Sequence, residues 1–247
     1  MNFSIYPENK IKIYKDKILK HFSNLEFSEN NNNIDLIFVF GGDGTFLKIL
    51  KKYYDQSLKL VLINEGKIGF ISSIDINELF KINLKQNDLF KKFYLLKIIS
   101  NNKHYVAINE IIIESKKITK CSSIINNKEL IKNYSSKWLF INYIGTTGLA
   151  RSYRYPIIFR NNPSFIFDIL DCPQYYYNKN INQPILFQKN DVVKLEYETN
   201  QLFSLKCDNI FYENKFKEFF IKQIKSKASI LNIDNFDRFI NKMKKLI

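Results

Sequence analysis

The sequence predicts a two-part chain, an α/β region followed by an antiparallel β region, and three observations carry that prediction. Strand and helix patterns alternate through the first third of the 247 residues. From about Phe93 the texture changes to short β-rich runs separated by turn residues. Within the alternating third stands Gly41-Gly42-Asp43-Gly44-Thr45, directly after the apolar run Leu36–Phe40 and before Phe46–Leu50, which reads strand, glycine turn, helix.

The alternating third runs Phe3–Tyr6 extended, Ile11–Phe22 helical, Leu36–Phe40 extended, Thr45–Tyr54 helical, Leu58–Ile63 extended and Ile76–Phe80 helical. Such βαβ alternation predicts a parallel sheet. Ile11, Tyr14, Ile18 and Phe22 keep helical spacing as a buried stripe, and Asn30 to Asn33 form a polar break suited to a loop.

The β-rich middle contains Tyr94–Ser100, His104–Ile108, Ile111–Glu114, Ser122–Ile125, Trp138–Asn142, Ser164–Ile169, Pro184–Phe187, Val192–Tyr197 and Leu202–Cys207, with Asn101-Asn102 and Asn126-Asn127 as turns. After Ser226 the pattern is helical again. Phe236, Phe239, Ile240 and Met243 fall at i, i+3, i+4 and i+7 behind Asp234 as a cap. The domain boundary is placed near residue 90: residues 1–90, completed by 228–247, form the first domain, and 91–227 the second.

Composition narrows the function classes. Cys121, Cys172 and Cys207 are odd in number and scattered, so neither a disulfide framework nor a zinc site is indicated, and the compartment reads as reducing. No run approaches the ~20 apolar residues of a membrane span, and Met1–Glu8 lacks the pattern of a secretory leader; the expectation is a cytoplasmic protein with no membrane partner. The formal net charge is +14, but its lysines are spread along the chain among Asn, Ile, Phe and Tyr. That distribution describes a solvated surface rather than a nucleic-acid patch. Lys242, Lys244 and Lys245 are the densest basic group, and in the last turns of a helix they complement its dipole without any partner. His21 and His104 neighbour no acid or nucleophile pattern, so both read as structural or solvated.

The chemistry starts from the glycine turn. Glycines there let backbone N–H groups approach a ligand, and the helix N-terminus behind them favours phosphate. An acid in such a turn repels phosphate, so Asp43 calls for a bound metal ion or for a hydroxyl that must lose its proton. Phosphoryl transfer needs both. The loop matches neither the Walker nor the Rossmann glycine pattern.

Three more segments follow it. Asn64-Glu65-Gly66-Lys67-Ile68-Gly69-Phe70 is a polar, glycine-bearing turn at the C-terminal end of a strand, where open α/β sheets bind ligands. Ala107–Ile113 embeds the Asn109-Glu110 pair in an apolar strand, where each polar group needs a partner if buried. Gly145-Thr146-Thr147-Gly148-Leu149-Ala150-Arg151-Ser152 is a small, hydroxyl-rich turn after another strand.

In this order the four segments resemble the NAD kinase family, with its GGDGT loop, N-x-G-x-L-G-F turn, L-N-E strand and G-[ST]-T-x-Y-x-x-S turn, and the resemblance covers most of the chain. It implies an α/β N-terminal domain with a Rossmann-like parallel sheet, an all-β sandwich C-terminal domain, and a C-terminal helix (Asn235–Ile247) that returns to the first domain. It also implies that the γ-phosphate of ATP is transferred to the adenosine ribose 2′-hydroxyl of NAD to make NADP. Asp43 would then be the general base, and Gly42, Gly44 and Thr45 would line the phosphate site. Asn109 and Glu110 would bind adenosine and ribose atoms. Asn64, Phe70 and Ser152 would shape the adenine pocket, Thr147 and Gly148 would contact the adenine edge, and Asp208 would lie near the diphosphate and ribose, or serve as a plain turn aspartate.

Mg²⁺ or another divalent metal ion would accompany ATP, or polyphosphate in its place, without an identifiable protein cluster to hold it. A homodimer or homotetramer is the implied assembly. The chain departs from the family where Tyr134-Ser135-Ser136-Lys137-Trp138 replaces a Gly-Asp-Gly segment, where Leu149 replaces an aromatic residue, and where Arg154-Tyr155 replaces a Gly-Gly. A lipid kinase of the diacylglycerol or sphingosine type and a non-catalytic NAD-binding sensor are the alternatives.

Overall fold

A computed structural model describes residues 1–28, 33–84, 89–159, 162–173, 183–233 and 236–245. The predicted loop residues Asn30 to Asn32 and the predicted cap Asp234 lie outside these. The chain divides into two compact units, one made of Met1–Phe93 with Ser226–Ile247 and the other of Tyr94–Lys225.

The first unit is built on a parallel sheet of β1 (Asn2–Tyr6), β2 (Glu26–Phe27), β3 (Leu36–Gly41), β4 (Lys59–Asn64) and β5 (Ile74–Asp75). β1 lies between β2 and β3, and β3 between β1 and β4, with Phe38 opposite Val61 and Gly41 opposite Asn64. Helices α1 (Ile11–His21) and α2 (Asp43–Tyr53) follow β1 and β3, and a 3-10 helix spans Ile76–Lys81. The spacing that predicts an ordinary helix at Ile76–Phe80 thus yields the tighter form, started by a capping box of Asp75 and Glu78.

β3 is an unbroken apolar run because both of its faces are covered, the expected state of a parallel strand. Phe38 and Phe40 face one core with Phe3, Ile5 and Phe22, while Ile37 and Val39 on the other face are also buried. Tyr14 of α1 stacks on Phe40 with ring centroids 4.2 Å apart, which fixes the helix over the strand that carries the glycine turn.

The second unit is antiparallel. It comprises β6 (Phe90–Ser100, whose first residues belong to the first unit), β7 (Lys103–Ala107), β8 (Glu110–Ile125), β9 (Lys128–Asn142), β10 (Ser164–Leu170), β11 (Ile185–Gln188), β12 (Val192–Cys207) and β13 (Ile210–Leu231). Six of them run in the order β11-β10-β9-β8-β12-β13, and β6 pairs with β13 and β7. The Asn-Asn turns are where the sequence puts them. Asn101, Asn102, Asn126 and Asn127 all have positive φ, the condition for the tight hairpin turn whose twist matches its strands.

Two expectations need correction. Ile111–Glu114 and Ser122–Ile125 are one strand, as are Val192–Tyr197 and Leu202–Cys207; in each case an irregularity in pairing interrupts the alternation that marks a strand. The segment after Ser226 is not yet helical, because β13 continues to Leu231, with Ser229 and Ile230 pairing with Lys59 and Leu60 of β4. Lysines spaced through β13 break its apolar pattern. The last helix, α4 (Phe236–Lys244), starts only after it.

The core of this unit is aromatic, with Trp138, Phe140, Phe165, Phe167, Phe203, Phe216 and Phe219 all buried. At its edge lies a satisfied polar group. Asn142, fully buried, donates to the carbonyls of Ile108 (2.7 Å) and Tyr94 (2.9 Å), and its Oδ1 accepts Gln223 Nε2 at 2.6 Å. Replacing Asn142 by the similarly sized Leu leaves these groups without partners in a dry interior. Asn142→Leu is therefore expected to lower the unfolding free energy by about 3 kcal/mol in urea denaturation, whereas a change below ~0.5 kcal/mol would show the network to be dispensable.

Candidate active site

In the first unit β3 ends at Gly41, Gly42 takes the cap position of α2, and Asp43 is the first residue of the helix. The first bond of the helix runs from Phe46 N to Gly42 O at 3.1 Å, so the amides of Asp43, Gly44 and Thr45 precede it and have no intrahelical acceptor. They form the positive end of the helix dipole. A Cβ placed on Gly42 or Gly44 would meet nothing within 4 Å, so the turn has open space beside it. Thr45 instead packs back on Gly41, where a Cβ would come within 2.7 Å of its Oγ1.

The Asp43 carboxylate reaches across to the turn after β4. Oδ1 accepts Ile71 N at 2.9 Å and Oδ2 accepts Phe70 N at 3.1 Å. That turn is shaped by Asn64, which is buried: its Oδ1 accepts Gly66 N at 3.0 Å, and its Nδ2 donates to Gly66 O at 2.9 Å and Asp75 Oδ1 at 3.4 Å. Gly69 has φ +66° and lies so close that a Cβ would sit 2.5 Å from Asn64 Cγ, so no other residue fits. Asn64 thus builds the loop rather than standing free in a pocket. Phe70 is buried beside the Asp43 carboxylate.

In the second unit Asn109 stands just before β8, not inside it, and Glu110 opens the strand. Asp208 explains the bend. At φ +53°, it directs its carboxylate onto the three consecutive amides of Ile108 (3.0 Å), Asn109 (2.8 Å) and Glu110 (3.3 Å). Gly145 completes the close packing, since a Cβ there would approach the Asn109 carbonyl oxygen to 2.6 Å.

Asn109 Oδ1 is buried with no hydrogen-bond partner in the structure. Gly148 lies nearby, as a Cβ on it would be 4.0 Å from Asn109 Nδ2, and it caps the short helix α3 (Leu149–Ser152). Thr147 is half-buried and Gly148 exposed. Ser152 is exposed and donates to Leu149 O at 2.7 Å. The neighbouring Thr146, not Thr147, is the buried hydroxyl, bonded to Tyr143 O and Ile158 N.

The predicted residues therefore fall into two constellations: Gly42, Asp43, Gly44, Thr45, Asn64 and Phe70 in the first unit, and Asn109, Glu110, Thr147, Gly148 and Asp208 in the second, with Ser152 further along. All seven glycines of the chain, at 41, 42, 44, 66, 69, 145 and 148, lie in the three turns that carry them. An average chain of this length would carry more than twice as many. The amide clamps of Asp43 and Asp208 are what sequence reasoning missed. Among the described residues no group of three or more His, Cys, Asp or Glu is arranged to hold a metal ion, and no helix is long and apolar enough to cross a membrane.

The departures from the expected pattern have their own structure. Lys137 pairs with Glu114 at 2.8 Å on the surface of β9 and β8. Tyr155 donates its hydroxyl to Asp168. Burial raises the Asp168 carboxyl above the usual range, opposed by the Tyr155 bond, and burial together with Asp168 raises the tyrosine. Arg154 has φ +58°, a conformation suited to glycine.

Comparison with known proteins gives one consistent answer. A model of the ATP-NAD kinase N-terminal domain matches residues 7–86. The NAD kinase of Ureaplasma parvum serovar 3 is 29% identical over 250 residues, covering 97% of this chain and 90% of its own. The crystal structure of an NAD kinase from Archaeoglobus fulgidus in complex with ATP superposes with a TM-score of 0.74 at 20% identity, covering 100% of this chain and 98% of that one. Yeast NADH kinase complexed with NADH gives 0.71 at 15% identity, covering 99% and 86%. These likenesses show the fold, mostly strands with some helices, to be the two-domain fold of those kinases.

Two outcomes follow from this geometry. Arg154→Gly removes the roughly 1–2 kcal/mol cost of a left-handed backbone against about 0.4–1 kcal/mol of added unfolded-chain entropy, and is expected to raise stability by roughly 0.5–1 kcal/mol in a chemical melt; a loss of stability would show that the arginine contributes more than its backbone costs. Asp208→Ala strands three amides and is expected to cost about 1–3 kcal/mol, with faster hydrogen exchange at residues 108–110 as the local signature.

Proposed function

The chain belongs to the NAD kinase family, and on that premise we propose that it transfers the γ-phosphate of ATP to the adenosine ribose 2′-hydroxyl of NAD, giving NADP and ADP. The observation that carries this reading is Asp43, a carboxylate fixed by two amides at the mouth of an open glycine turn. Each carboxylate oxygen has two lone pairs, so one bond to an amide leaves room for a substrate hydroxyl. Asp43 takes the proton from the 2′-hydroxyl as its oxygen attacks the γ-phosphorus, and the bond from phosphorus to the bridging β–γ oxygen breaks to release ADP. Gly42, Gly44 and Thr45 offer amides to the phosphates, where the helix dipole stabilises the developing charge.

The nucleoside part of the acceptor is assigned to the second constellation. The unpartnered Oδ1 of Asn109 suits a hydroxyl or an exocyclic amine, since a buried acceptor left empty costs ~1–3 kcal/mol. Glu110 accepts a ribose hydroxyl. In the second unit Thr147, Gly148 and Ser152 offer contacts to adenine, beside the Asn109 segment that Asp208 holds; in the first unit Phe70, on the turn that Asn64 shapes, offers adenine an aromatic face. A divalent ion, Mg²⁺ or another, would come with the triphosphate and neutralise its charge, since among the described residues no group of three or more His, Cys, Asp or Glu is arranged to hold it. Polyphosphate is the alternative donor.

The finer reading of the architecture is a Rossmann-like first domain of residues 1–90 completed by 228–247, and a β-sandwich of residues 91–227. The same reading has the enzyme work in the cytoplasm as a homodimer or homotetramer, without nucleic-acid or membrane partners.

NADP formation from NAD, ATP and Mg²⁺, read with an NADP-specific dehydrogenase, tests the proposal. Asp43→Asn is expected to lower kcat by about 10²–10⁴-fold with NAD binding retained. Wild-type protein that binds NAD without turnover would mark a sensor, and phosphorylation of diacylglycerol in place of NAD would mark a lipid kinase.

A further inference from the structure

The turn whose amides hold Asp43 is itself gripped from behind, within the first unit, by the last helix. Lys242 of α4 donates from Nζ to the Ser72 carbonyl at 3.1 Å, one residue beyond Ile71. Arg238, one helical turn earlier, pairs with Glu78, whose Oε2 also accepts Asp75 N at 2.8 Å. Ser72 in turn donates its hydroxyl to Gly69 O at 2.6 Å, closing the turn on itself.

What makes the grip consequential is that it crosses the space between α4 and the turn. A cavity of about 230 Å³ lies under this face of the turn, lined by Ile68, Ser72, Asp75, Asn241, Lys242 and Lys245 among others. On its β4 side the turn is held by the burial of Phe70, Ile71 and Ile74 and by Ser73 N donating to Leu62 O at 2.8 Å; on the side that faces α4, across the cavity, the restraint on residues 69–73 is the polar contact from Lys242. The dipole reading of Lys242 drawn from the sequence is thus incomplete, because the side chain has a partner.

We infer that Lys242 is a positioning residue for phosphoryl transfer. By holding the Ser72 carbonyl it places the Phe70 and Ile71 amides, and these hold the Asp43 carboxylate at the angle that proton removal requires. Arg238 supports the same turn from its far end through Glu78 and Asp75. The inference rests on the role assigned to Asp43, and it gives the C-terminal helix a part in catalysis without contact to any substrate. A small displacement of a catalytic group is enough to matter, since a misplacement of ~1 Å can cost about 100-fold in rate.

Two measurements on Lys242→Met separate this from simple structural support. In steady-state NADP formation the variant is expected to lose about ten-fold in kcat with KM for NAD changed less than about two-fold. Lys242→Arg, which keeps a long cationic donor, should recover most of the loss, and Lys244→Met, on the exposed side of the same helical turn, should behave as wild type. In amide hydrogen exchange by NMR, Phe70 and Ile71 should exchange about ten-fold faster in Lys242→Met while Phe38 in β3 is unchanged.

Unchanged kcat, a rise in KM alone, or unaltered exchange at Phe70 and Ile71 would overturn the inference. The exchange experiment needs no turnover, so it decides the grip itself even if wild-type protein makes no NADP. Such an inactive wild type would overturn the kinase reading and, with it, the catalytic consequence drawn for Lys242.

Discussion

An aspartate carboxylate that satisfies the amides of a neighbouring turn is the interaction on which both constellations depend. Asp43 does this for Phe70 and Ile71, and Asp208 does it for Ile108, Asn109 and Glu110. A turn after a strand leaves consecutive N–H groups that no ladder can use, and burying them unpaired is costly. A carboxylate is the side chain best able to answer several amides at once, because it offers about four acceptor sites and charge-assisted bonds. The fold thereby ties a distant segment of sequence to each turn. In the first unit the tying group is also the candidate base, so its orientation is fixed before any substrate arrives. Such preorganisation spares the reaction the cost of reorienting its base.

The surrounding packing converts those local bonds into fixed positions. β3 is buried on both faces, and Tyr14 stacked on Phe40 holds α1 against the strand that ends in the glycine turn. In the second unit the aromatic core reaches Phe140, two residues from Asn142, whose amide group holds the Ile108 carbonyl while its backbone N–H donates to Asn109 O at 2.7 Å. The segment carrying Asn109 is therefore held by Asn142 on its carbonyls and by Asp208 on its amides. One atom stays out of this accounting, the side-chain Oδ1 of Asn109. Gln223 Oε1, on the far side of Asn142, is a second buried acceptor without a partner, but the one on the Asn109 segment itself is the kind of acceptor a ligand answers.

Much of this was legible in the sequence, and the parts that were not share a physical cause. The strand before Gly41, the helix after it and the two Asn-Asn hairpins follow from periodicity and turn chemistry, which are local. β13 did not, because a strand that pairs along its length with β12 and ends against β4 is specified by partners far away in sequence, and its lysines hide the alternation. The continuity of β8 and β12 was masked by their irregular pairing. At the site, the residue types and their turns could be read directly. What the side chains do there could be read only in part: Asn64 bonds Gly66 two residues on, as an asparagine turn does, whereas Asp208 and Lys242 act on backbone groups 98 and 170 positions away, contacts that no local spacing encodes.

The distribution of glycine joins these observations. Elsewhere in the chain, positive φ is supplied by Asn33, Asn101, Asn102, Asn126, Asn127, Arg154, Asp171 and Asp208, residues that bear a left-handed backbone at a cost of about 1–2 kcal/mol, less for asparagine and aspartate. A sequence this poor in glycine tolerates strain at its hairpins and even at an arginine. It keeps glycine where substitution meets an atom rather than a torsional cost, as at Gly69 against Asn64 and Gly145 against Asn109, or where a Cβ would project into space that nothing in the protein fills, as at Gly42 and Gly44. The first kind of glycine is explained by the fold alone. The second kind leaves open space beside backbone amides that precede the first helical bond, so a ligand can approach them closely. Open space beside free amides and a carboxylate fixed by two hydrogen bonds is what a phosphate-binding turn requires, so these two glycines accord with the reading proposed for the Asp43 turn.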